Sequence, residues 1–468
     1  MRRAGPIALV IHFTLVLQWA NCPMPCALAE PVVTSRPVGP TGSCATAECH
    51  ADKLSGKVLH APAGQRKCTA CHTVRNVYQH TFDLALPEQQ LCTFCHVQGR
   101  RTFVHQPVAN GACTGCHDPH GSNHRALLLA DPAGGLCLRC HEASNEKHIH
   151  GPVAAGACVV CHEPHSSWHP NLLSARPEVL CQACHEDVVE NLERVRHPHE
   201  PALTQQCLTC HNPHSSDQPN QLRKPARELC TSCHEHARIG ELVRTSPHVH
   251  GAVGTEDSCS ACHSGHGGML PRLLKEPLMG LCLSCHDRPL DAPDGSRIAD
   301  MAALLKNNPD HHGPVGRADC VACHNPHASP NFRLLSREYP QMFYAPFEMG
   351  NYDLCFTCHV KEMVTSSGGE GVTGFRDGER NLHFVHVHKE EKGRTCRACH
   401  EVHASQRPFH IREKVPFGSG GWEIEINFEL RPGGGRCAPG CHEEKTYRRA
   451  PSTGGASIQP QSPAEASS

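Results

Sequence analysis

Fifteen times in 468 residues two cysteines are followed at once by a histidine. Thirteen of these are Cys-x-x-Cys-His: Cys68/Cys71/His72, Cys92/Cys95/His96, Cys113/Cys116/His117, Cys137/Cys140/His141, Cys158/Cys161/His162, Cys181/Cys184/His185, Cys207/Cys210/His211, Cys230/Cys233/His234, Cys259/Cys262/His263, Cys282/Cys285/His286, Cys320/Cys323/His324, Cys355/Cys358/His359 and Cys396/Cys399/His400. Two are stretched: Cys44/Cys49/His50 opens the series and Cys437/Cys441/His442 closes it. The spacing suits covalent attachment of haem: both thiols form thioethers to the porphyrin and the adjacent imidazole becomes the proximal iron ligand. Of 32 cysteines, 30 belong to the motifs, and the other two, Cys22 and Cys26, fall in the N-terminal segment. A zinc ribbon needs paired CxxC units but no histidine behind every second cysteine, and a disulfide scaffold would not repeat that histidine either. The expectation is about fifteen covalent haem c groups, with neither a free thiol nor a disulfide in the mature chain.

The remaining histidines follow the same rhythm. There are 40; fifteen are proximal and His12 is in the N-terminal segment. One series stands eight or nine residues before each first-motif cysteine: His60, His105, His150, His199, His250, His312 and His388. A second stands three residues after the first-motif histidine, at His120, His165, His214, His266, His327 and His403, with His80 the nearest equivalent at the start. Two extra histidines for each pair of motifs is what bis-histidine ligation requires. The haem at His50 is left over, and His383, His386 and His410 are candidates for its second ligand. Three residues of chain reach at most about 10 Å, too short to round a porphyrin edge, so His120 cannot serve the haem of His117 and must reach a neighbour. The upstream series has a longer tether and its assignment stays open. His386 competes with His388 if Lys389 to Thr395 carries an insertion. His124, His148, His169, His197, His236, His248 and His311 read as surface or propionate-binding residues.

What positions these groups is a repeat. One copy runs His150-Gly-Pro-Val-Ala-Ala-Gly-Ala-Cys158-x-x-Cys161-His162-Glu-Pro-His165-Ser-Ser, then Leu172-Leu173, then Leu180-Cys181-x-x-Cys184-His185. Copies at Cys113, Cys207, Cys259 and Cys320 match closely; that at Cys68 is looser and that at Cys396 is remodelled. A leucine precedes the second motif at Leu91, Leu136, Leu180, Leu229, Leu281 and Leu354. Another precedes it by eight residues at Leu84, Leu129, Leu173, Leu222 and Leu274, with Leu335 pushed back by an insertion at Arg337 to Asn351. These leucines are expected to pack on haem faces. Aromatics are only 4% of the chain, while Gly and Pro number 39 and 38, so the polypeptide can bury little apolar surface of its own and haem must supply most of the core. The predicted fold is mainly coil with short α-helices and very little β: an extended array of two-haem units, with one small hairpin or strand at Trp422 to Phe428. The expected organisation is a signal peptide over 1–29, a haem-bearing region over 30–442 (a first haem at 44–50 and seven two-haem units over 60–442), and a disordered tail over 443–468.

Arg2 and Arg3, the short apolar stretch Ile7 to Ala20 and the small-x-small site Ala27-Leu28-Ala29 predict an export signal cleaved before Glu30. The formal charge is −2, which gives no pull toward nucleic acid or an anionic membrane.

The paired pattern H-x-P-V-x-x-G-x-C-x-x-C-H-x-P-H-[SG]-[SG] resembles the doubled-CxxCH group of multihaem c-type cytochromes, over roughly Cys44 to His442. The stretch from Asn381-Leu-His383 through Cys396 to His403, and Gly434-Gly-Arg-Cys437 to His442, resemble large family members of metal- and sulfur-respiring bacteria. The resemblance implies an electron carrier with bis-histidine haems in the periplasm or at the outer surface of a Gram-negative bacterium. Its expected partners are redox proteins or terminal acceptors, including an outer-membrane complex, with no nucleic acid and no transmembrane span. The tolerance of an x4 spacing in tetrahaem cytochromes c3 implies that Cys44/Cys49 bears haem too. A redox enzyme of the nitrite, hydroxylamine or tetrathionate reductase type, or a filament-forming conductive cytochrome, are the competing readings. No catalytic residue is expected: an enzyme needs an iron with an open or weakly held distal position, no CxxCK occurs, and histidine is in surplus. Intact mass of the denatured protein should show fifteen haem additions on a chain starting near Glu30. Fourteen would point to Cys437/Cys441 as unfilled, and thirteen or fewer would exclude use of both stretched motifs.

Overall fold

Each upstream histidine except His388 sits at a corner where a two-residue strand turns into a helix of a single turn. His60, His105, His150, His199 and His312 have extended φ/ψ and precede the helices Ala61–Gly64, Gln106–Ala109, Gly151–Ala154, Glu200–Leu203 and Gly313–Gly316, each with proline in its first turn. Proline there fixes φ and loses no hydrogen bond, because the first helical N–H groups have no partner in any case. A computed structural model describes residues 44–449 except 46–48, 98, 100, 236–237, 293–294 and 418–421. The proposed export signal, Cys22, Cys26, His12, His236 and the tail from 450 lie outside the described residues. Two compact units are present: the first runs up to Arg100 and includes His105–Asp131, and the second takes Arg101–Val104 and everything from Pro132.

The strands join one repeat to the next. In the first compact unit Val58–Leu59 pairs antiparallel with Gly121–Ser122. In the second, Phe103–Val104 pairs with Ser166–Ser167, His148–Ile149 with Ser215–Ser216, His197–Pro198 with Gly267–Gly268, His248–Val249 with Ala328–Ser329, and Asp310–His311 with Ala404–Ser405. The crossings are lined by small buried side chains: Ser167 and Ser329 are 1% exposed and Ala328 is fully buried. The expectation of very little β is therefore corrected. Twenty-five short strands form twelve antiparallel sheets among the described residues. Ladders of two residues built from Gly, Ser and Ala carry no alternating apolar pattern, so nothing in the sequence marks them.

Between the two motifs of a repeat the chain doubles back through a tight loop. Two successive residues adopt left-handed backbone there: Ala126 and Leu127, Asn171 and Leu172, Asn220 and Gln221, Arg272 and Leu273, Arg333 and Leu334, Phe409 and His410, with φ between 50° and 61°. None is glycine, and a left-handed residue with a Cβ costs about 1–2 kcal/mol. The loop is held from both sides. The residue after the loop bridges back to the motif histidine, as in His162↔Leu173, His211↔Leu222, His263↔Leu274, His324↔Leu335 and His400↔Ile411. The serine of the crossing strand donates its hydroxyl to that residue's carbonyl, Ser167 to Leu173 and Ser405 to Ile411, the latter at 3.1 Å. In the Cys113 repeat the bridging residue is Leu128 rather than Leu129, because that repeat's second half is spaced differently. These leucines thus have a backbone role in addition to any packing role.

Beside the inserted segment Leu335, Tyr339, Tyr352, Val364 and Val387 form a buried apolar cluster, with smaller ones at Val243, Val253 and Ala328 and at Ile411, Val415 and Ile426. Near the end, Lys414–Phe417 pairs with Trp422–Glu425, and Phe428–Arg431, Gly434–Cys437 and Lys445–Arg448 form a three-stranded sheet, more strand than the single hairpin expected there. Helix Leu382–Val387 replaces the strand-and-corner of the other repeats. The left-handed loop yields a direct test. Ala126→Gly should stabilise the loop by about 1 kcal/mol, because it removes the Cβ, and β-branched Ala126→Val should destabilise it, read as slower and faster amide exchange, respectively, at both Leu128 and Leu129.

Candidate haem ligand pairs

Among the described residues, thirteen motif histidines are seen opposite a second histidine. In the first compact unit the ring centroids of His50 and His80 are 5.9 Å apart, those of His60 and His96 5.9 Å, and those of His72 and His120 6.1 Å. In the second unit the upstream series faces second motifs: His150 to His185 at 6.1 Å, His199 to His234 at 6.1 Å, His250 to His286 at 6.2 Å and His312 to His359 at 6.1 Å. The downstream series faces first motifs: His162 to His214 at 6.0 Å, His211 to His266 at 6.0 Å, His263 to His327 at 6.0 Å and His324 to His403 at 6.2 Å. The last two pairs are His383 to His400 at 6.3 Å and His386 to His442 at 6.5 Å. His105 precedes its helix as His60 and His150 do, and His141 and His165 hold the same offsets in the repeat.

The rule is simple. Within each compact unit, an upstream histidine faces the second motif of its own repeat, and a downstream histidine faces the first motif of the repeat before it. His80 follows this rule by facing His50, so the leftover haem needs no distant ligand. At the C-terminus the sequence expectation is corrected. Helix Leu382–Val387 places His383 and His386 at i and i+3 on one face. His388 lies past the helix end, with its ring 4.3 Å from Phe347 and 4.5 Å from Phe384 and its Nδ1 3.1 Å from Val364 O. The position expected for His388 is taken by His386, because a helix and not a strand leads into this repeat. His410 packs edge-on against His312 at 5.4 Å and lies 3.6 Å from Asp310.

Spacing and chemistry fit an iron between the rings. Two metal–nitrogen bonds of about 2 Å plus the half-width of each imidazole put the centroids roughly 6 Å apart. On many of these rings the other nitrogen is already committed. First-motif Nδ1–H groups donate to the left-handed loop: His117 to Ala126 O at 2.7 Å, His162 to Asn171 O at 2.9 Å, His211 to Asn220 O at 2.8 Å, His263 to Arg272 O at 2.7 Å, His324 to Arg333 O at 2.9 Å and His400 to Phe409 O at 2.8 Å. Upstream distal rings do the same to the following repeat: His60 to Pro119 O at 2.9 Å, His150 to Pro213 O at 2.9 Å and His199 to Gly265 O at 2.7 Å. A carbonyl only accepts, so Nδ1 carries the proton and Nε2 keeps the lone pair for a metal. Burial lowers the pKa of His214, His250, His266, His324, His327 and His400, and brings His383 to about 4, so these rings are neutral at pH 7.

The cysteines are placed less uniformly than the histidines. The motif gives both of its thiols the same role, and here structure and sequence differ. The first cysteine of every motif is half-buried. The second cysteine of the opening motif and of each second motif is exposed: Cys49, Cys95, Cys140, Cys184, Cys233, Cys285 and Cys358. That of each first motif is half-buried, Cys71 and Cys116 among them, as is Cys441 in the closing motif. The reason lies in the returning chain. The carbonyl of a first motif's second cysteine accepts an N–H from it: Cys71 from Ala85, Cys116 from Leu129 and Cys161 from Ser174, each at 2.9 Å, and Cys399 from Arg412 at 2.8 Å. No such returning bond reaches the exposed set among the described residues. The hydroxyls of Ser232 and Ser284 lie 3.9 Å from the Sγ atoms of Cys233 and Cys285 respectively. The fold thus pairs the imidazoles directly, but the polypeptide does not itself enclose Cys49, Cys95, Cys140, Cys184, Cys233, Cys285 or Cys358. A thiol that must meet a porphyrin edge has no need of a protein partner.

Residues outside the motifs hold them in place. The loop carbonyls and crossing serines carry no sequence signal beyond the recurrent Ser-Ser or Gly-Gly after the downstream histidine. At the C-terminus the orienting residue is Asn381, fully buried: its Oδ1 accepts the backbone N–H of His383 at 3.0 Å and of Phe384 at 3.3 Å, and its Nδ2 donates to Met363 O and Ser366 O at 2.9 and 2.8 Å.

The doubled CXXCH motif family matches residues 105–146, 150–190, 199–239, 250–289 and 312–364, each match opening on an upstream histidine. The chain belongs to the doubled-CXXCH group of multihaem c-type cytochromes. No curated protein matches it significantly. In this cytochrome the two repeats outside the matches, at Cys68 and Cys396, are those whose neighbouring structure departs: a hairpin, His72–Asn76 with Thr81–Leu84, in one and helix Leu382–Val387 in the other. No helix among the described residues is long and apolar enough to cross a membrane. His386→Ala should convert one haem to high spin, whereas His388→Ala should leave every haem low-spin, as read by electron paramagnetic resonance of the oxidised protein.

Proposed function

We propose that this cytochrome is an exported electron carrier whose haems, about fifteen, are ligated on both faces by histidine and serve respiratory electron transfer. The observation that carries this reading is the second imidazole opposite each of thirteen motif histidines, at 5.9 to 6.5 Å. Bound haem supplies a one-electron site. The chain's own residues do the rest. Both cysteines of each motif, the exposed ones included, are the proposed tethers. Both axial positions are claimed by imidazoles, and in most of these pairs one of the two has its Nδ1 tied to a backbone carbonyl, which leaves a substrate no position at those sites and favours a carrier over a reductase. Two neutral imidazoles with no methionine favour low potentials.

Proximity of the tethers supports transfer between neighbours. The first cysteine of the opening motif or of a second motif is close enough to the first cysteine of the next repeat to perturb its thiol: Cys44 with Cys68, Cys92 with Cys113, Cys181 with Cys207, Cys230 with Cys259, Cys282 with Cys320 and Cys355 with Cys396. Thiols that tether successive porphyrins are neighbours, so the edges they tether are neighbours as well. Redox proteins or terminal acceptors at the periplasmic or outer cell surface are the proposed partners.

The test is reactivity at iron. The resting oxidised protein should be low-spin throughout and should neither bind nor turn over nitrite or hydroxylamine with saturation. A high-spin haem that binds nitrite and reduces it would replace this reading with the enzyme.

A further inference from the structure

In the repeats that carry a histidine three residues after the first-motif histidine, the residue directly after that motif histidine differs: Asp118, Glu163, Asn212, Ser264, Asn325 and Glu401. It stands two residues before the downstream histidine that faces the preceding repeat's first motif. Asp118 Oδ1 accepts the backbone N–H of His120 at 2.9 Å and lies 3.3 Å from the ring Nδ1 of His120, which faces His72. Glu401 Oε1 lies 3.5 Å from Nδ1 of His403, which faces His324. Asn212 and Asn325 keep the backbone bond, to His214 and His327 at 3.1 Å, but bring no charge to the ring.

We propose that this position sets haem potentials along the chain. A carboxylate beside Nδ1–H makes the distal imidazole a stronger donor and adds negative charge next to the iron, and both favour the ferric state. The haem held by His72 and His120 is therefore lowered relative to that held by His162 and His214, although the two sets of ligands are alike. The haem of His324 is lowered less, because Arg412 lies 2.9 Å from the other oxygen of Glu401. The proposal rests on the reading that these histidine pairs hold haem.

The swap tests it on full-length, haem-loaded protein. Asp118→Asn preserves the backbone bond, as Asn212 does in its own repeat, and removes only the charge. Asn212→Asp adds it. Spectroelectrochemical titration should show one haem's share of the absorbance change moving to higher potential in Asp118→Asn and to lower potential in Asn212→Asp, with all haems still low-spin. Unchanged titrations, or shifts of the same sign in both variants, overturn the proposal. A new high-spin signal in Asp118→Asn also overturns it, since the carboxylate would then be holding His120 in place instead of tuning it. Failure of the haem-pair reading is distinct, because it would appear in the unmodified protein as missing haem mass or a high-spin fraction.

Discussion

In the repeating part of the chain a first motif finds its facing imidazole not at home but one repeat on. His72 looks to His120, His162 to His214, His211 to His266, His263 to His327 and His324 to His403, in each case a histidine of the following repeat. This crossing governs the strand ladders as well. The same junction that delivers the downstream histidine also bonds it to the upstream one: the backbone N–H of His60 donates to His120 O at 2.9 Å, His150 to His214 O at 2.9 Å, His199 to His266 O at 2.8 Å, and His250 and His312 to His327 O and His403 O at 3.0 Å. Both facing histidines of a repeat are therefore fixed by one contact with its successor. A repeat of this kind has no stable structure alone, which is the general condition of stacked repeat proteins.

The cost of that arrangement appears in the left-handed loops. Two successive non-glycine residues at positive φ would be unfavourable in isolation. They persist because their carbonyl is the acceptor that orients a motif imidazole, and because a serine hydroxyl and an antiparallel bridge close the same loop. The strain and the ligand geometry stabilise one another through ring hydrogen bonds of 2.7 to 2.9 Å. Haem would add iron–nitrogen bonds to this frame, and the small buried residues at the crossings, Ser167, Ala328 and Ser329, show how little apolar packing the polypeptide itself contributes there.

Much of this was legible in the sequence because covalent chemistry fixes spacing. The fifteen motifs, the two histidine series and the impossibility of His120 serving the haem of His117 all follow from residue offsets. The partner of each upstream histidine did not follow, because eight or nine residues of chain reach several haems. It is decided by a two-residue strand too short to leave a pattern. The substitution of His386 for His388 was hidden for a related reason: offsets carried over from the other repeats presume an extended approach, and Asn381 caps a helix there instead. The unequal exposure of Cys71 and Cys95 was hidden too, since both stand in the same four-residue motif and only the chain returning over Cys71 tells them apart. Ladders of Gly, Ser and Ala escape detection because their role is to be small.

Helix Leu382–Val387 has one further consequence. The repeats at Cys207, Cys259 and Cys320 each lend a histidine backward and borrow one from ahead, so such a repeat can be copied in tandem without leaving any motif orphaned. The C-terminal block cannot, since His383 and His386 give it both of its facing imidazoles from a single helix and nothing is borrowed from beyond. The array is thus modular in its interior and closed at this end. Gene duplication could lengthen such a chain only by insertion before the helix, and a chain truncated before residue 382 would lose its terminator and strand the motif histidine His324 as well, because His403 would go with it.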